Sequence, residues 1–209
     1  MAAHDALDRY HRRRDFTRTA EPRGAEPGAP GDRPRFVVQI HDARTLHFDF
    51  RLEADGVLKS WAVPKGPSTD PHDKRLATPT EDHPLEYRTF EGVIPEGEYG
   101  AGAVIVWDEG TFRNLTTDRD GRPVPFSEAL DRGHASFRLD GHKLHGGYAL
   151  TRIRTDRDPA RRGGGNREAW LLVKRTDARA STQGTPDPYR ARSARSGHTL
   201  RQVAAGATP

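Results

Sequence analysis

The 209-residue chain contains no cysteine. Disulfides and thiolate metal sites are thereby excluded, and any metal must sit on nitrogen and oxygen ligands. Long apolar runs are missing too: no stretch approaches the roughly 18 residues that a membrane-spanning helix needs. The N-terminal MAAHDALDRYHRRRDF lacks the apolar segment of a secretory signal. A soluble, cytoplasmic protein with no membrane contact is therefore expected. Hydrophobic residues make up 33% of the chain against 31% charged, with 21 Gly and 16 Pro. That balance, in a chain long enough for one domain and its own core, favours short strands and many loops over a helical bundle. No Gly-x-Gly-x-x-Gly opens a helix; the turn-rich stretch from Glu91 to Gly102 is expected to be scaffold rather than a dinucleotide site.

The formal net charge of +4 invites a nucleic-acid reading, but its location matters. From Ala178 to Pro209 there are five Arg and one acid, Asp187, an excess equal to that of the whole chain. Residues 1–177 are neutral overall, so any nucleic-acid contact there must come from local clustering. The Ala, Arg, Ser, Gly and Thr content of 178–209 predicts a disordered tail, able to add non-specific affinity for phosphates.

Periodicity outlines a mainly β protein, a small barrel or sandwich with short flanking helices. A helix is expected over 5–16, then a Pro- and Gly-rich arm to residue 34. Strands are expected over 36–41 and 46–52. Asp55-Gly56 is a hairpin signal leading into Val57–Val63. Polar loops follow over 65–75 and 81–87. Val104–Trp107 reads as a buried strand, turned by Asp108-Glu109-Gly110 into Thr111-Phe112. Phe126–Arg132 reads as a short helix closed by Gly133. Strands over 135–139, 144–153 and 169–174 complete the pattern, with Gly163–Gly165 as a flexible loop before the last. The domain reading is an N-terminal helix and arm over 1–34, a core over 35–177 and a tail over 178–209.

The densest chemistry lies in QIHDARTLHFDFR, Gln39 to Arg51. Leu46, Phe48, Phe50 and Leu52 alternate with His47, Asp49, Arg51 and Glu53, which sets His47, Asp49 and Arg51 on one polar strand face. The preceding strand groups Val37, Gln39 and His41, and pairing would bring His41 towards His47 and Asp49. Two imidazoles and a carboxylate suit Mn²⁺, Zn²⁺ or Fe²⁺ with positions left open. Arg51 on the same face can hold a phosphate oxygen. Alternatively, these are solvated side chains, with Arg51 in a surface ion pair with Glu53 or Asp49. Lys65, Arg75 and His83 are further loop candidates, and Tyr87 either donates to an anion or packs. The donor set also allows a non-haem Fe(II) oxygenase, although there the second His normally follows the His-x-Asp pair.

FVVQIHDARTLHFDFRLEADGVLKSWAVPKGPSTDPHDKRLA, EDHPLEY, EGVIPEGEYGAGAVIVWDEGTF and WLLVKRTD, with YHRRRDFTRTAEP near the start, resemble the bacterial 3′-phosphoesterase family. That family includes the N-terminal module of ligase D of non-homologous end joining. The likeness covers residues 7–177. It implies a small β-barrel with a concave active-site face, a flexible N-terminal arm and a C-terminal tail. It implies a Mn²⁺-dependent enzyme, Zn²⁺ or Co²⁺ being other choices, that removes a 3′-terminal ribonucleoside and then hydrolyses the 3′-phosphate to a 3′-hydroxyl. By the same resemblance His41, His47 and Asp49 are metal ligands, Arg51, His83 and Tyr87 bind phosphate or catalyse, and Gln39, Lys65 and Arg75 are further site residues. Arg14, Asp15 and Glu21 match functional positions of the arm. Phe48 replaces a usual Tyr on the apolar side, and His142 and Tyr148 replace a usual Glu and Trp. The implied substrate is a primer-template carrying a 3′ ribonucleotide or 3′-phosphate. No ligase or polymerase domain follows, so a stand-alone monomer is expected, with a ligase, polymerase or Ku supplied in trans, in the nucleoid of a bacterium or archaeon. A non-catalytic DNA-end binding module with the same face is the other reading.

Overall fold

The computed structural model describes residues 6–24, 33–153 and 168–206. Parts of the expected helix, arm and tail (residue 5, 25–32 and 207–209) and the Gly163–Gly165 loop lie outside them. Nine strands are present: β1 (Arg35–Asp42), β2 (Leu46–Ala54), β3 (Val57–Val63), β4 (Lys74–Pro79), β5 (Gly92–Ile94), β6 (Gly102–Asn114), β7 (His134–Gly141), β8 (His145–Ile153) and β9 (Ala169–Lys174). Short helices α1 (Asp8–His11), α2 (Phe126–Asp131) and α3 (Leu200–Ala204), and a 3₁₀ turn over Leu85–Thr89, accompany them. All strand pairs are antiparallel, in the order β1-β2-β3-β4-β9-β8-β7-β6, and β6 returns to β1. Eight strands thus close a barrel, while β5 pairs with the start of β6.

Alternation sorts the side chains. Phe36, Val38, Ile40, Phe48, Phe50 and Leu52 join Trp61, Ala77, Ile105, Phe137, Leu150 and Leu172 in one buried cluster drawn from all eight barrel strands, which is the lumen. Phe48 is buried there as its alternation requires, and Tyr148 stacks on Phe137 with ring centroids 6.5 Å apart. The opposite face of β1 and β6, through Val37, Val104 and Val106, packs with Leu7, Tyr10, Tyr87 and Phe90 in a second cluster. The N-terminal segment and the 3₁₀ turn therefore roof the outside of the β1–β2 hairpin. The β2–β3 turn takes positive φ at both Asp55 (51°) and Gly56 (78°), as an Asp-Gly hairpin does.

Three expectations are corrected. Asp108-Glu109-Gly110 is no turn: β6 continues through it, with a register shift where Val38 and Gln39 of β1 face Asp108 and Val106. Asp108 is buried and accepts from the backbone N–H groups of His142, Lys143 and Leu144 at 2.8, 2.9 and 2.8 Å, while a Cβ on Gly110 would lie 2.2 Å from the Asp140 carbonyl oxygen. Gly110 thus allows a close strand approach rather than a reversal. Residues 74–75, expected in a loop, begin β4, because Lys74–Ala77 pair with β9. The segment after 177 is ordered against the barrel through residue 206. Ala191, Ser193, Leu200 and Val203 are buried, Ala194 N–H donates to the Val106 carbonyl at 2.8 Å, and Arg195 pairs with Glu109 at 2.9 Å. Its polar composition hid a few well-spaced apolar anchors and a capping box at Thr199.

Candidate active site

Register assembles the first half of the site. β1 and β2 place His41 opposite His47 and Gln39 opposite Asp49. His41 Nδ1 and His47 Nε2 each lie 3.6 Å from an Asp49 carboxylate oxygen, and the imidazole centroids are 4.9 Å apart. One ligand atom from each residue falls within 4.8 Å of the others. The outward nitrogens decide whether this trio fits a metal. His41 Nε2 donates to the Gly100 carbonyl at 2.7 Å and His47 Nδ1 to the Thr45 carbonyl at 2.8 Å. A carbonyl only accepts, so each contact puts the proton on the outer nitrogen and leaves an unprotonated nitrogen turned towards Asp49. Burial alone would push the Asp49 carboxyl up; the Arg51 guanidinium beside it opposes that and holds the group well below the usual carboxylate range. The donor set is ready for a divalent ion.

The second half is cationic and hydrogen-bonded. Arg51 Nε donates to Gln39 Oε1 at 2.8 Å and an Arg51 terminal nitrogen donates to Asp49 Oδ2 at 3.0 Å. The fully buried Gln39 spends its own N–H groups on the carbonyls of Tyr87 and Phe90, at 3.1 and 3.0 Å, so it orients Arg51 and anchors the 3₁₀ turn at once. Arg14 enters from the N-terminal segment. It donates to Glu21 at 2.8 Å and Glu81 at 3.1 Å and stacks 3.8 Å over the Tyr10 ring. His83 lies between the two guanidiniums, its Nδ1 3.0 Å from Arg51 and its Nε2 3.4 Å from Arg14. Burial, then Arg51 and Arg14, push its pKa well below the ordinary histidine value, and it is neutral. The Glu81 carbonyl is 2.8 Å from the same Nδ1. That nitrogen cannot donate to the carbonyl and accept from Arg51 at once, so one neighbour of the neutral ring is always unmatched.

Tyr87, expected at the phosphate, donates its hydroxyl to Glu21 at 2.9 Å, and burial, reinforced by Glu21, raises its pKa well above the ordinary value. Arg14, His41, His47, Asp49, Arg51, His83 and Tyr87 line one crevice of about 240 Å³. Glu21 and Gln39 buttress it from behind. Three expected site residues stand apart from this cluster. Asp15 is exposed and caps its own turn through Thr17 N–H and Oγ1, at 3.0 and 2.7 Å. Lys65 is exposed beside Gly66, and Arg75 pairs with Asp73 at 2.7 Å on β4. Glu81, Tyr99 and Gly100 line the crevice although sequence reasoning assigned them no role. An acid two residues before His83 was the available signal for Glu81; Gly100 acts through its carbonyl, which no side-chain pattern reveals.

This arrangement of two imidazoles, a carboxylate and flanking guanidiniums coincides with a family match. The model of the DNA Ligase D 3′-phosphoesterase domain matches residues 39–152. The chain belongs to that family. It is 50% identical over 181 residues to the multifunctional non-homologous end joining protein LigD of Pseudomonas aeruginosa, covering 86% of this chain and 20% of that protein. To the LigD DNA repair protein of Mycobacterium tuberculosis it is 48% identical over 153 residues, 73% of this chain and 19% of the relative. To LigD of Mycolicibacterium smegmatis it is 44% identical over 147 residues, 70% and 19%. The chain thus spans about a fifth of the length of these curated relatives. The 3′-phosphoesterase family match covers β1 from Gln39 through most of β8, and so contains every metal-donor candidate but not Arg14 or Glu21. No helix among the described residues is long and apolar enough to cross a membrane.

Proposed function

We propose that the chain is a metal-dependent phosphoesterase that heals nucleic-acid 3′ ends, removing a terminal ribonucleoside and then the 3′-phosphate it leaves. The observation that carries this reading is the pair of imidazoles whose outer nitrogens are tied to carbonyls, directly beside Arg51, His83 and Arg14. His41 Nδ1, His47 Nε2 and an Asp49 oxygen would hold the ion, Mn²⁺ or another borderline divalent ion such as Zn²⁺ or Co²⁺. Bound there, the ion would supply Lewis-acid polarisation of a phosphate oxygen and lower the pKa of a water.

The remaining roles fall to the protein. Arg51 commits N–H groups to Gln39, Asp49 and His83, and Arg14 to Glu21, Glu81, Tyr10 and His83, so each keeps at least one of its five N–H groups for a phosphate oxygen. An anion accepting from these guanidiniums would also relieve the conflict at His83 Nδ1. With its Nδ1 proton given to the Glu81 carbonyl, neutral His83 would then present an unprotonated Nε2 that accepts from Arg14 rather than donating to the phosphate. In the first step water cleaves the P–O bond to the terminal ribonucleoside; in the second, water releases inorganic phosphate and the 3′ oxygen departs as a hydroxyl. Gln39, Glu21 and Tyr87 act as positioning residues. Lys65, Arg75 and Asp15 would need to approach with the substrate to take part. The names of the relatives support a role in non-homologous end joining; the proposal adds a monomer acting on primer-template ends, with a ligase, polymerase or Ku in trans.

The test is a 5′-labelled primer-template ending in one ribonucleotide, incubated with and without Mn²⁺. Mn²⁺-dependent appearance of 3′-phosphate and then 3′-hydroxyl product is expected. Tight binding without product would instead mark a non-catalytic end-binding module.

A further inference from the structure

On the outer face of β6–β8, far along the barrel from the metal cluster, arginines line up across strands. Arg113 on β6 pairs directly with Arg138 on β7, and Arg138 pairs with Gly147 on β8. The next position in that row is filled by Arg175, whose N–H donates to the Gly147 carbonyl at 2.9 Å. Its stem lies over the glycine: a Cβ on Gly147 would fall 3.1 Å from Arg175 Cδ. Arg33 lines the same shallow concavity as Arg113 and Arg138. The neighbouring residues Phe112, Phe137 and Leu139 are buried in the lumen, so the guanidiniums project outward, and all four arginines are exposed.

Like charges placed directly opposite on paired strands destabilise a sheet. Nearby acids would ordinarily offset that, yet none of the four arginines forms an ion pair with a described residue. Asp140 lies 3.7 Å from His145 and within the same concavity, but makes no ion pair with any of these arginines. Asp177 is taken by Lys174 at 2.7 Å and by the backbone N–H groups of Gly147 and Arg179. Four arginines against the single carboxylate of Asp140, which lines the same concavity, give the row a net positive excess on a body that is neutral over residues 1–177. At about 4.8 Å between strands, the three steps from Arg113 to Arg175 cover roughly 14 Å, a reach that takes in successive phosphates of one strand.

We propose that this arginine row is a second nucleic-acid contact that grips the duplex backbone, without regard to sequence, away from the 3′ end. Val104, which pairs with His41, is nine residues before Arg113 on β6; at about 3.3 Å per residue the row sits roughly 30 Å from the metal cluster, near one turn of duplex. The choice of nucleic acid as the polyanion rests on the proposed function; the charge geometry does not.

The experiment measures binding of a labelled blunt duplex with 3′-hydroxyl ends, in EDTA, from low to moderate salt, for the full chain, the R113S/R138S variant and a control, R119S/R190S, that removes the same charge from exposed arginines elsewhere. Each lost phosphate contact lowers the slope of log K against log salt by about 0.9. R113S/R138S is expected to lower it by about two, the control by far less, with an unchanged thermal midpoint and unchanged turnover of a 3′-phosphate at saturating substrate. An unchanged slope, or an equal fall in the control, overturns the proposal, the latter by showing a bulk-charge effect. Because no metal or hydrolysis is involved, failure of the phosphoesterase reading would show separately.

Discussion

His41, His47 and Asp49 face one another within a single hairpin, with only a short turn between the strands. Arg14, Arg51 and His83 come from three segments, Arg14 and His83 being 69 residues apart. The contrast is between a half built by strand register and a half built by docking. A register is locked by every alternating side chain along it, since a one-residue slip would turn the lumen-facing Phe48 and Phe50 outward. The docked half depends on a helix of one turn and on buried ion pairs, whose loss leaves charges stranded. The proposed metal donors should therefore survive insults that dismantle the proposed anion site.

The largest effect is expected from within the hairpin. His47→Ala should lower Mn²⁺ affinity and 3′-end hydrolysis by about 100-fold or more, since even partners of ligands are worth 10- to 100-fold; titration calorimetry and the primer assay measure both. Arg14→Ala leaves the buried Glu21 without its guanidinium, while Glu81 keeps Arg13 at 2.9 Å, and should cost about 3–5 kcal/mol in urea unfolding, along with the hydrolysis. Leu200→Ala, in the C-terminal segment, should cost about 2–5 kcal/mol of stability while leaving metal affinity alone. An effect of Leu200→Ala on metal affinity equal to that on stability would erase the distinction between scaffold and hairpin.

The smallest effect concerns pH. The folded pKa of His83 is depressed, so below about pH 6.5 the unfolded chain takes up a proton that the folded chain refuses. Stability should fall as pH drops through that value, by about 1 kcal/mol between pH 6.5 and 5.5 from this group. Unfolding of His83→Gln across the same range should show a slope shallower by that amount; an unchanged slope would mean His83 is protonated in the fold.

Legibility in the sequence follows the same division. The His41–His47–Asp49 trio was readable because alternation and a short loop determine which side chains meet. β3 and β9 were readable because dense apolar residues mark them. β4 was not, since Lys74 and Arg75 look like loop until β9 supplies their partners. The run through Asp108 looked like a turn because a buried aspartate serving three backbone N–H groups has the same letters as a solvated one. Gln39 and Glu21 entered only through resemblance, and their work as positioning residues needs the contacts to be seen. Lys65, Arg75 and Asp15 matched a motif but lie apart from the cluster, which a linear match cannot reveal.

The most direct measurement is Mn²⁺ affinity compared across His47→Ala, Arg14→Ala and the unaltered chain, with 3′-phosphate hydrolysis read on the same samples. The expected result is that Arg14→Ala keeps its affinity within a few-fold while losing hydrolysis, and His47→Ala loses both. Loss of Mn²⁺ binding in Arg14→Ala to the extent seen in His47→Ala would contradict a metal centre held by the hairpin alone.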